Sequence, residues 1–181
     1  MSIRLLKVFL FSLILMVPAI SSAQFEPGKN YIGPSIGLSF LGSTPQFGLN
    51  YEYGIDMQNF GNVGIGGILR YWSYSSDFVD GQWSYTNFLI GAQGNYHFKI
   101  DNPKWDIFAG VVLAYDGGSV KYKNTKNLGD INYASPTAGG LWLSLQGGVR
   151  YWVSNNFAVV GRIGFGTLSY GALEVGVDWK F

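Results

Sequence analysis

The ionisable residues of this 181-residue chain are few, and most of them stand in segments that alternate between two kinds of side chain. Charged residues make up 13% of the sequence, against 48% hydrophobic and 17% aromatic residues. The Asp, Glu, Lys, Arg and His residues of the alternating segments, called ionisable below, include Glu52, Arg70, His97, Asp106, Arg150, Arg162, Glu174, Asp178 and Lys180. Carboxylates, guanidinium groups and an imidazole could transfer protons, hold a metal or form an ionic network.

Catalytic and metal-binding chemistry find little support in the spacing of these residues. His97 is the only histidine and the chain has no cysteine, so thiolate-ligated metal centres are excluded. None of the immediate neighbours of His97 is a serine that it could activate. Gly161, Gly164 and Gly166 imitate part of a nucleotide-binding loop, but no helix follows to receive a phosphate. We therefore expect no catalytic residue, no cofactor and no metal site.

Residues 1–23 have the composition of a secretory signal peptide. The segment begins with Arg4 and Lys7, continues with an apolar stretch over 8–17, and ends in small residues. This pattern predicts cleavage before Gln24. The formal net charge of the whole chain is only +1, which argues against a nucleic-acid partner.

Residues 24–181 form a single predicted domain in which apolar residues recur at every second position and not at helical spacing. The alternation predicts eight strands, at about 30–41, 46–56, 62–76, 83–100, 105–117, 137–153, 157–168 and 170–181. These segments are longer than the usual strand of about 5–6 residues. They match the roughly 9–11 residues that a tilted strand needs to cross a bilayer, with some overhang.

One face of every predicted strand lacks ionisable residues. These positions are even numbers 32–40 and 88–98 and odd numbers 47–55, 63–71, 107–115, 141–151, 159–165 and 173–181. A charge facing lipid at the midplane costs about 2–4 kcal/mol, so this face is predicted to point outward into a membrane. An open sheet edge in lipid would leave backbone groups unsatisfied. The sequence therefore predicts a closed, eight-stranded, antiparallel up-and-down transmembrane β-barrel, with a soluble lipocalin-like carrier as the competing fold.

Aromatic residues stand at both ends of the apolar bands, and the last strand ends on Phe181. The expected girdles are Tyr96, Phe98, Trp105, Tyr151, Trp179 and Phe181 at one rim and Phe40, Phe47, Tyr71 and Tyr115 at the other. In these features the chain resembles the small eight-stranded outer-membrane barrels that include OmpX, the OmpA membrane domain and the outer-membrane β-barrel proteins of Bacteroidota.

The resemblance implies the outer membrane of a Gram-negative bacterium, with both termini and the tight turns in the periplasm. It also implies that Phe181 is an assembly signal read by the barrel-assembly machinery, and that outer-membrane lipid and lipopolysaccharide surround the barrel. Barrel enzymes that remodel lipid A use a histidine with a serine and a carboxylate near the outer leaflet. Because His97 is expected at the opposite rim, the resemblance does not extend to those enzymes.

The inward ionisable residues predict an ionic network inside the barrel. Its expected members are Arg70, Arg150, Arg162, Glu174 and Asp178. Pairing the last two strands about Ser169 would set Arg162 diagonal to both Glu174 and Asp178. Charges kept from water need partners, so the main interpretation is a polar plug that fixes the barrel. A gated proton or ion path is the alternative interpretation.

The long segment after the fifth strand carries three lysines, Lys121, Lys123 and Lys126, and is expected outside the cell. Strand five is predicted to continue above the membrane as a hairpin that returns through Ile131 and Tyr133. The segment is interpreted either as a solvated loop or as a contact for lipopolysaccharide phosphates or another extracellular partner. Near the same rim, a shallow pocket for a small apolar ligand could be lined by Trp72, Tyr74 and Trp142.

These observations favour a structural or interaction protein of the outer membrane, without enzymatic chemistry. One alternative is a narrow channel or a carrier for small hydrophobic molecules, as in OmpW-like barrels. Another is an accessory subunit of a larger outer-membrane transport or secretion complex, with a second outer-membrane protein as its partner.

Overall fold

The computed structural model describes residues 25–78, 81–124, 135–136, 138–167 and 170–181. The predicted signal peptide, residues 1–23, lies outside these ranges. The strands are β1 (Asn30–Ser39), β2 (Thr44–Asp56), β3 (Asn62–Phe78), β4 (Gly81–Phe98), β5 (Trp105–Asp116), β6 (Ser119–Asn124), β7 (Gly140–Trp152), β8 (Phe157–Gly166) and β9 (Gly171–Lys180). Among the described residues, no helix is long and apolar enough to span a membrane.

The strands form one closed sheet in which every pairing is antiparallel. Each barrel strand pairs with the next along the chain, and β1 pairs with β9 to seal the cylinder. Strands β5 and β6 both pair with β4 and are separated only by Gly117 and Gly118, so they are two segments of one barrel strand. The result is an eight-stranded up-and-down barrel, which confirms the predicted fold.

The outside of the barrel is apolar and the inside holds the charges, as the alternation predicts. Leu141 and Leu145 on β7 are each 69% exposed, whereas Glu52 and Arg150 are each 1% exposed. No position predicted to point outward carries an ionisable side chain. An exterior of this kind suits hydrocarbon and not water.

Two details of the strands differ from the sequence prediction. The extension of strand five, β6, pairs with β4, and its proposed return through Ile131 and Tyr133 falls outside the described residues. The pairing of β8 with β9 places Arg162 directly opposite Glu174, so the predicted register about Ser169 is wrong by two residues. The hydrogen bond from Gly166 N to Tyr170 O, 3.0 Å long, fixes this shorter connection.

Glycine allows neighbouring strands to approach closely at two inward positions. A Cβ atom at Gly33 would lie 1.6 Å from the carbonyl oxygen of Val177, and one at Gly66 would lie 1.8 Å from that of Tyr51. Any side chain at either position would push strands apart. The lumen is therefore narrow enough for side chains to fill it, as expected for eight strands.

The two ends of the barrel differ. The turn end carries the connections 57–61, 99–104 and 153–156 together with both described termini. The loop end carries the remaining connections and the part of the sheet that extends beyond the barrel, where β3 runs on past the end of β2 and stays paired with β4.

Candidate functional site

The turn-end half of the lumen contains a buried ionic cluster centred on Arg150. Its Nε donates to Asp178 Oδ2 at 2.6 Å and its Nη1 donates to Asp106 Oδ2 at 2.8 Å. Its Nη2 donates to Glu52, on the far side of the lumen. One guanidinium therefore joins carboxylates from three other strands, β2, β5 and β9.

His97 and Arg162 complete the ionic cluster, which we define as Glu52, His97, Asp106, Arg150, Arg162 and Asp178. His97 Nδ1 lies 2.8 Å from Asp106 Oδ1, and Nε2 lies 3.1 Å from Glu52 Oε1. Because ionised carboxylates only accept hydrogen bonds, His97 donates to both when it carries both ring protons. Arg162 Nη2 donates to Asp178 Oδ2 at 2.9 Å. With a doubly protonated His97, the three cations and three carboxylates of the cluster balance.

A second ionic pair, Arg70 with Glu174, lies nearer the loop end. Arg70 Nε donates to Glu174, and its Nη2 donates to Asn50 Oδ1 at 2.7 Å. Glu174 also accepts from Gln46 and, at 3.1 Å, from the Ser35 hydroxyl. Both members of the pair are 5% exposed.

The structure thus brings the predicted network residues into contact, but in two groups. Arg70 pairs with Glu174, while Arg150 and Arg162 share Asp178. Although Arg162 stands opposite Glu174, its guanidinium forms an ion pair with Asp178. The inward positions of Glu52, His97 and Asp106 follow from the alternation. The contact of Glu52 with Arg150 crosses the lumen, which the alternation does not predict. Asp106 stands directly opposite Arg150 on the neighbouring strand, so the register of those two strands could have identified it.

The chain just before β1 covers the turn end of the ionic cluster. The ring of Phe25 is stacked on His97 with centroids 3.4 Å apart and planes inclined by 6°. The ring of Tyr31 is also stacked on Phe25, with centroids 4.8 Å apart. Lys180 Nζ pairs with Glu26 Oε1 at 2.7 Å. Sequence reasoning missed this cap, which has no alternating pattern to reveal it.

Aromatic rings fill the loop end of the lumen. Trp72 is stacked on Tyr170 at 4.5 Å, and Trp142 meets the same ring edge-on at 4.9 Å. Tyr74 is stacked on Tyr85 at 4.6 Å. The predicted residues Trp72, Tyr74 and Trp142 do lie at this rim, but Tyr170 occupies the space between the two tryptophans. The expected pocket for an apolar ligand is filled by the protein's own rings.

We define the aromatic layer as Trp72, Trp142 and Tyr170. Beyond it, β3, β4 and β6 form a three-stranded protruding sheet, defined as residues 73–78, 81–86 and 119–124. Lys121 stands opposite Ser84 and Lys123 opposite Gln82. Both lysines are exposed on the outer face of this sheet. The third predicted lysine, Lys126, lies outside the described residues.

The chemistry available to the ionic cluster is limited because its side chains are buried and already form hydrogen bonds and ion pairs with one another. Both ring nitrogens of His97 contact carboxylates, and the ring is 4% exposed, so no nucleophile of the described chain is positioned for it to deprotonate. Within the described residues there is no group of three or more His, Cys, Asp or Glu side chains arranged to hold a metal.

Comparison with solved structures matches the whole barrel. The N-terminal β-barrel domain of Pseudomonas aeruginosa OprF superposes with a TM-score of 0.55 at 16% identity, covering 86% of this chain and 98% of that one. Ail, the attachment invasion locus protein of Yersinia pestis, gives 0.53 at 16% identity, covering 86% and 100%. The protein has the fold of the small outer-membrane β-barrels. The designed barrel TMB2.3 matches with a TM-score of 0.50 at 18% identity, covering 84% and 94%. No family model and no curated protein sequence matches the chain.

The rims of this outer-membrane barrel fold carry the expected aromatic residues. At the turn end, Trp179 is 59% exposed and the rings of Trp105 and Tyr151 lie 4.8 Å apart. At the loop end, Tyr115 is 60% exposed and Phe47 is 56% exposed. Amphipathic and aromatic rings at these levels suit the two interfaces of a bilayer.

Proposed function

We propose that the protein is an interaction barrel of the outer membrane, with a sealed interior and no enzymatic chemistry. The observation that carries this proposal is the filled lumen. The ionic cluster, the Arg70–Glu174 pair and the rings of Trp72, Trp142 and Tyr170 follow one another along the axis, and each of these residues is 5% exposed or less. On this proposal no solute passes through the interior that the described residues form, and the protein acts through the surfaces that the barrel presents.

In this proposal the turn end and both termini face the periplasm and the protruding sheet faces the outside. The longest connection between strands, 125–139, is at the loop end, which supports this orientation. The exposure of Phe181, 56% at the barrel perimeter, supports its role as an assembly signal. Its backbone pairs with Asn30 in both directions, at 2.9 Å, which completes the seam between β1 and β9.

The protruding sheet is proposed to contact the phosphate groups of lipopolysaccharide. Lys121 pairs with Ser84, which is four residues beyond the lipid-facing Phe88 on β4. At about 3.3 Å per residue, the lysine stands roughly 13 Å along the strand from that aromatic ring. This height supports the proposal that both lysines stand at the level of headgroup phosphates and sugars, beyond the hydrocarbon. Of the fold neighbours, Ail has been solved in complex with the heparin analogue sucrose octasulfate, a polyanionic sugar.

A binding experiment tests the surface contact. The double variant Lys121→Gln/Lys123→Gln, in detergent micelles, is expected to bind phosphorylated lipopolysaccharide more weakly than the parent protein, with a smaller salt dependence. The matched control is Lys29→Gln/Lys99→Gln, which removes two exposed lysines from the turn end. Equal affinity for dephosphorylated lipopolysaccharide, or an equal loss in the control, would overturn the proposed contact.

Planar-bilayer recordings test the sealed interior. The purified barrel is expected to show no discrete conductance steps at neutral pH. Regular single-channel openings would instead support the narrow channel, and uptake of a fluorescent apolar probe that Trp142→Ala abolishes would support the carrier. The accessory-subunit role stays a prediction, which co-purification of a second outer-membrane protein in mild detergent would support.

A further inference from the structure

A small cavity lies in the lumen between the Arg70–Glu174 pair and the aromatic layer. It measures about 30 Å³, and its polar wall is formed by Arg70, Trp142, Ser144, Arg162 and Glu174. A volume of this size holds one or two guests as large as a water molecule. Tyr170 and Ile68 line its apolar side and separate it from the loop end.

Three polar atoms on the wall of this cavity have no hydrogen-bond partner among the described residues. They are Arg162 Nη1, Trp142 Nε1 and Ser144 Oγ. Each belongs to a side chain that is 3–5% exposed, so water at the surface does not satisfy it. Buried polar groups are normally paired, and unpaired donors that share one cavity indicate a common guest. All three atoms can donate a hydrogen bond, and two of them can only donate.

The charge of the wall favours an anion over a neutral guest. On the wall itself Arg70 and Arg162 contribute two positive charges and Glu174 one negative charge, while Asp178, the carboxylate that balances Arg162 in the ionic cluster, does not line the cavity. The Glu174 carboxylate is already occupied by Arg70, Gln46 and Ser35. The Arg162 guanidinium, in contrast, contacts Asp178 through Nη2 alone, and Asp178 also serves Arg150.

We propose that this cavity binds a single monatomic monovalent anion of halide size, held by Arg162 Nη1, Trp142 Nε1 and Ser144 Oγ. A space that suits one or two water-sized guests favours a monatomic anion over a larger oxyanion such as sulfate or phosphate. The anion completes the coordination of Arg162 and so ties β7 to β8 inside the barrel.

The experiment compares protein folded in potassium chloride, bromide or gluconate at equal ionic strength. The ¹⁵N–¹H indole resonance of Trp142, assigned with Trp142→Phe, is expected to shift on halide addition and to saturate. The matched control is Trp152. Its indole nitrogen also has no hydrogen-bond partner among the described residues, but the ring packs at the turn end with Phe25, Tyr31 and Ala158. Its resonance is expected to stay in place. Crystals grown in bromide are expected to show an anomalous peak within the cavity.

Variants locate the contacts. Ser144→Ala removes one donor without changing the backbone or a charge, and we expect the halide affinity to fall about threefold to tenfold. Arg162→Met is expected to abolish the halide response, and where that variant does not fold, the bromide crystals of the parent protein decide. A Trp142 resonance that is identical in halide and gluconate would show that the guest is water, and equal shifts at Trp152 would show a general salt effect. Either result overturns the anion site.

Discussion

Replacing Arg150 by methionine removes the centre of the ionic cluster while keeping a side chain of similar length. The parent guanidinium is 1% exposed and forms ion pairs with Glu52, Asp106 and Asp178. The variant leaves these three carboxylates buried with one cation fewer. We expect the folded barrel to be strongly destabilised.

The magnitude follows from what each carboxylate retains. Breaking a buried ion pair by removing one partner costs about 3–5 kcal/mol. After the substitution, Glu52 and Asp106 still contact His97, and Asp178 still contacts Arg162. No carboxylate is left without a cation, so the expected loss lies near the lower end of that range, at about 3 kcal/mol.

Arg70→Met provides a comparison in which fewer ion pairs are broken but one carboxylate loses its cation. Arg70 makes one ion pair only, but its loss leaves Glu174 with the neutral donors Gln46 and Ser35. A buried carboxylate without any cation costs about as much as the three weakened pairs above, so we again expect about 3–5 kcal/mol. The number of ion pairs broken is therefore a poor guide to the loss.

The assay is reversible urea unfolding in phospholipid vesicles, followed by tryptophan fluorescence. Lys121→Met, which removes an exposed cation from the protruding sheet, serves as the control and is expected to change the free energy of unfolding by less than about 0.5 kcal/mol. In an Asp178→Asn background, Arg150→Met is expected to cost less than in the parent, because one pair is already absent. A stability of Arg150→Met within about 0.5 kcal/mol of the parent would refute the reasoning.

Three further substitutions test the packing of the barrel wall and the cluster. Gly66→Ala places a Cβ atom 1.8 Å from a backbone oxygen and is expected to prevent folding or cost several kcal/mol. The control Gly94→Ala, whose Cβ atom would have nothing within 4 Å, is expected to be neutral. Heat-modifiability gels compare the two variants. Leu143→Arg puts a charge on a lipid-facing position that is 56% exposed, and urea unfolding in vesicles is expected to show a loss of about 2–4 kcal/mol. A loss of less than about 0.5 kcal/mol would contradict the lipid-facing assignment. His97→Leu removes contacts to two carboxylates and is expected to cost about 1.5–3 kcal/mol in the same unfolding assay, while His97→Gln recovers part of that loss.

The sequence alone predicts the barrel because the membrane imposes a simple rule on every strand. A side-chain period of two decides which residues face lipid, and one misplaced charge there would be costly. Arg150 and Arg162 could therefore be assigned to the interior from parity alone. The strand bounds agree with the structure to within about three residues, since turn residues interrupt the alternation clearly.

Contacts across the lumen could not be predicted in this way. Glu52 and Arg150 are separated by 98 residues, and their meeting depends on barrel closure and on the lengths of both side chains. The register of β8 against β9 depends on the connection before Gly171, where a difference of one residue in the turn centre moves the partner of Arg162 by two positions. The cap formed by Phe25 lies before the first strand and follows no periodic pattern.

The seam between the first and last strands has a consequence for biogenesis. Arg70 meets Glu174 across 104 residues of chain, and Asp178 stands on the same final strand. During insertion, the arginines on earlier strands have no carboxylate from β9 until that strand docks. Desolvating them sooner would be expensive, so a half-inserted sheet has to keep its inner face hydrated. Insertion and neutralisation of the lumen are thus expected to finish in a single concerted event, with few long-lived partial cylinders along the way.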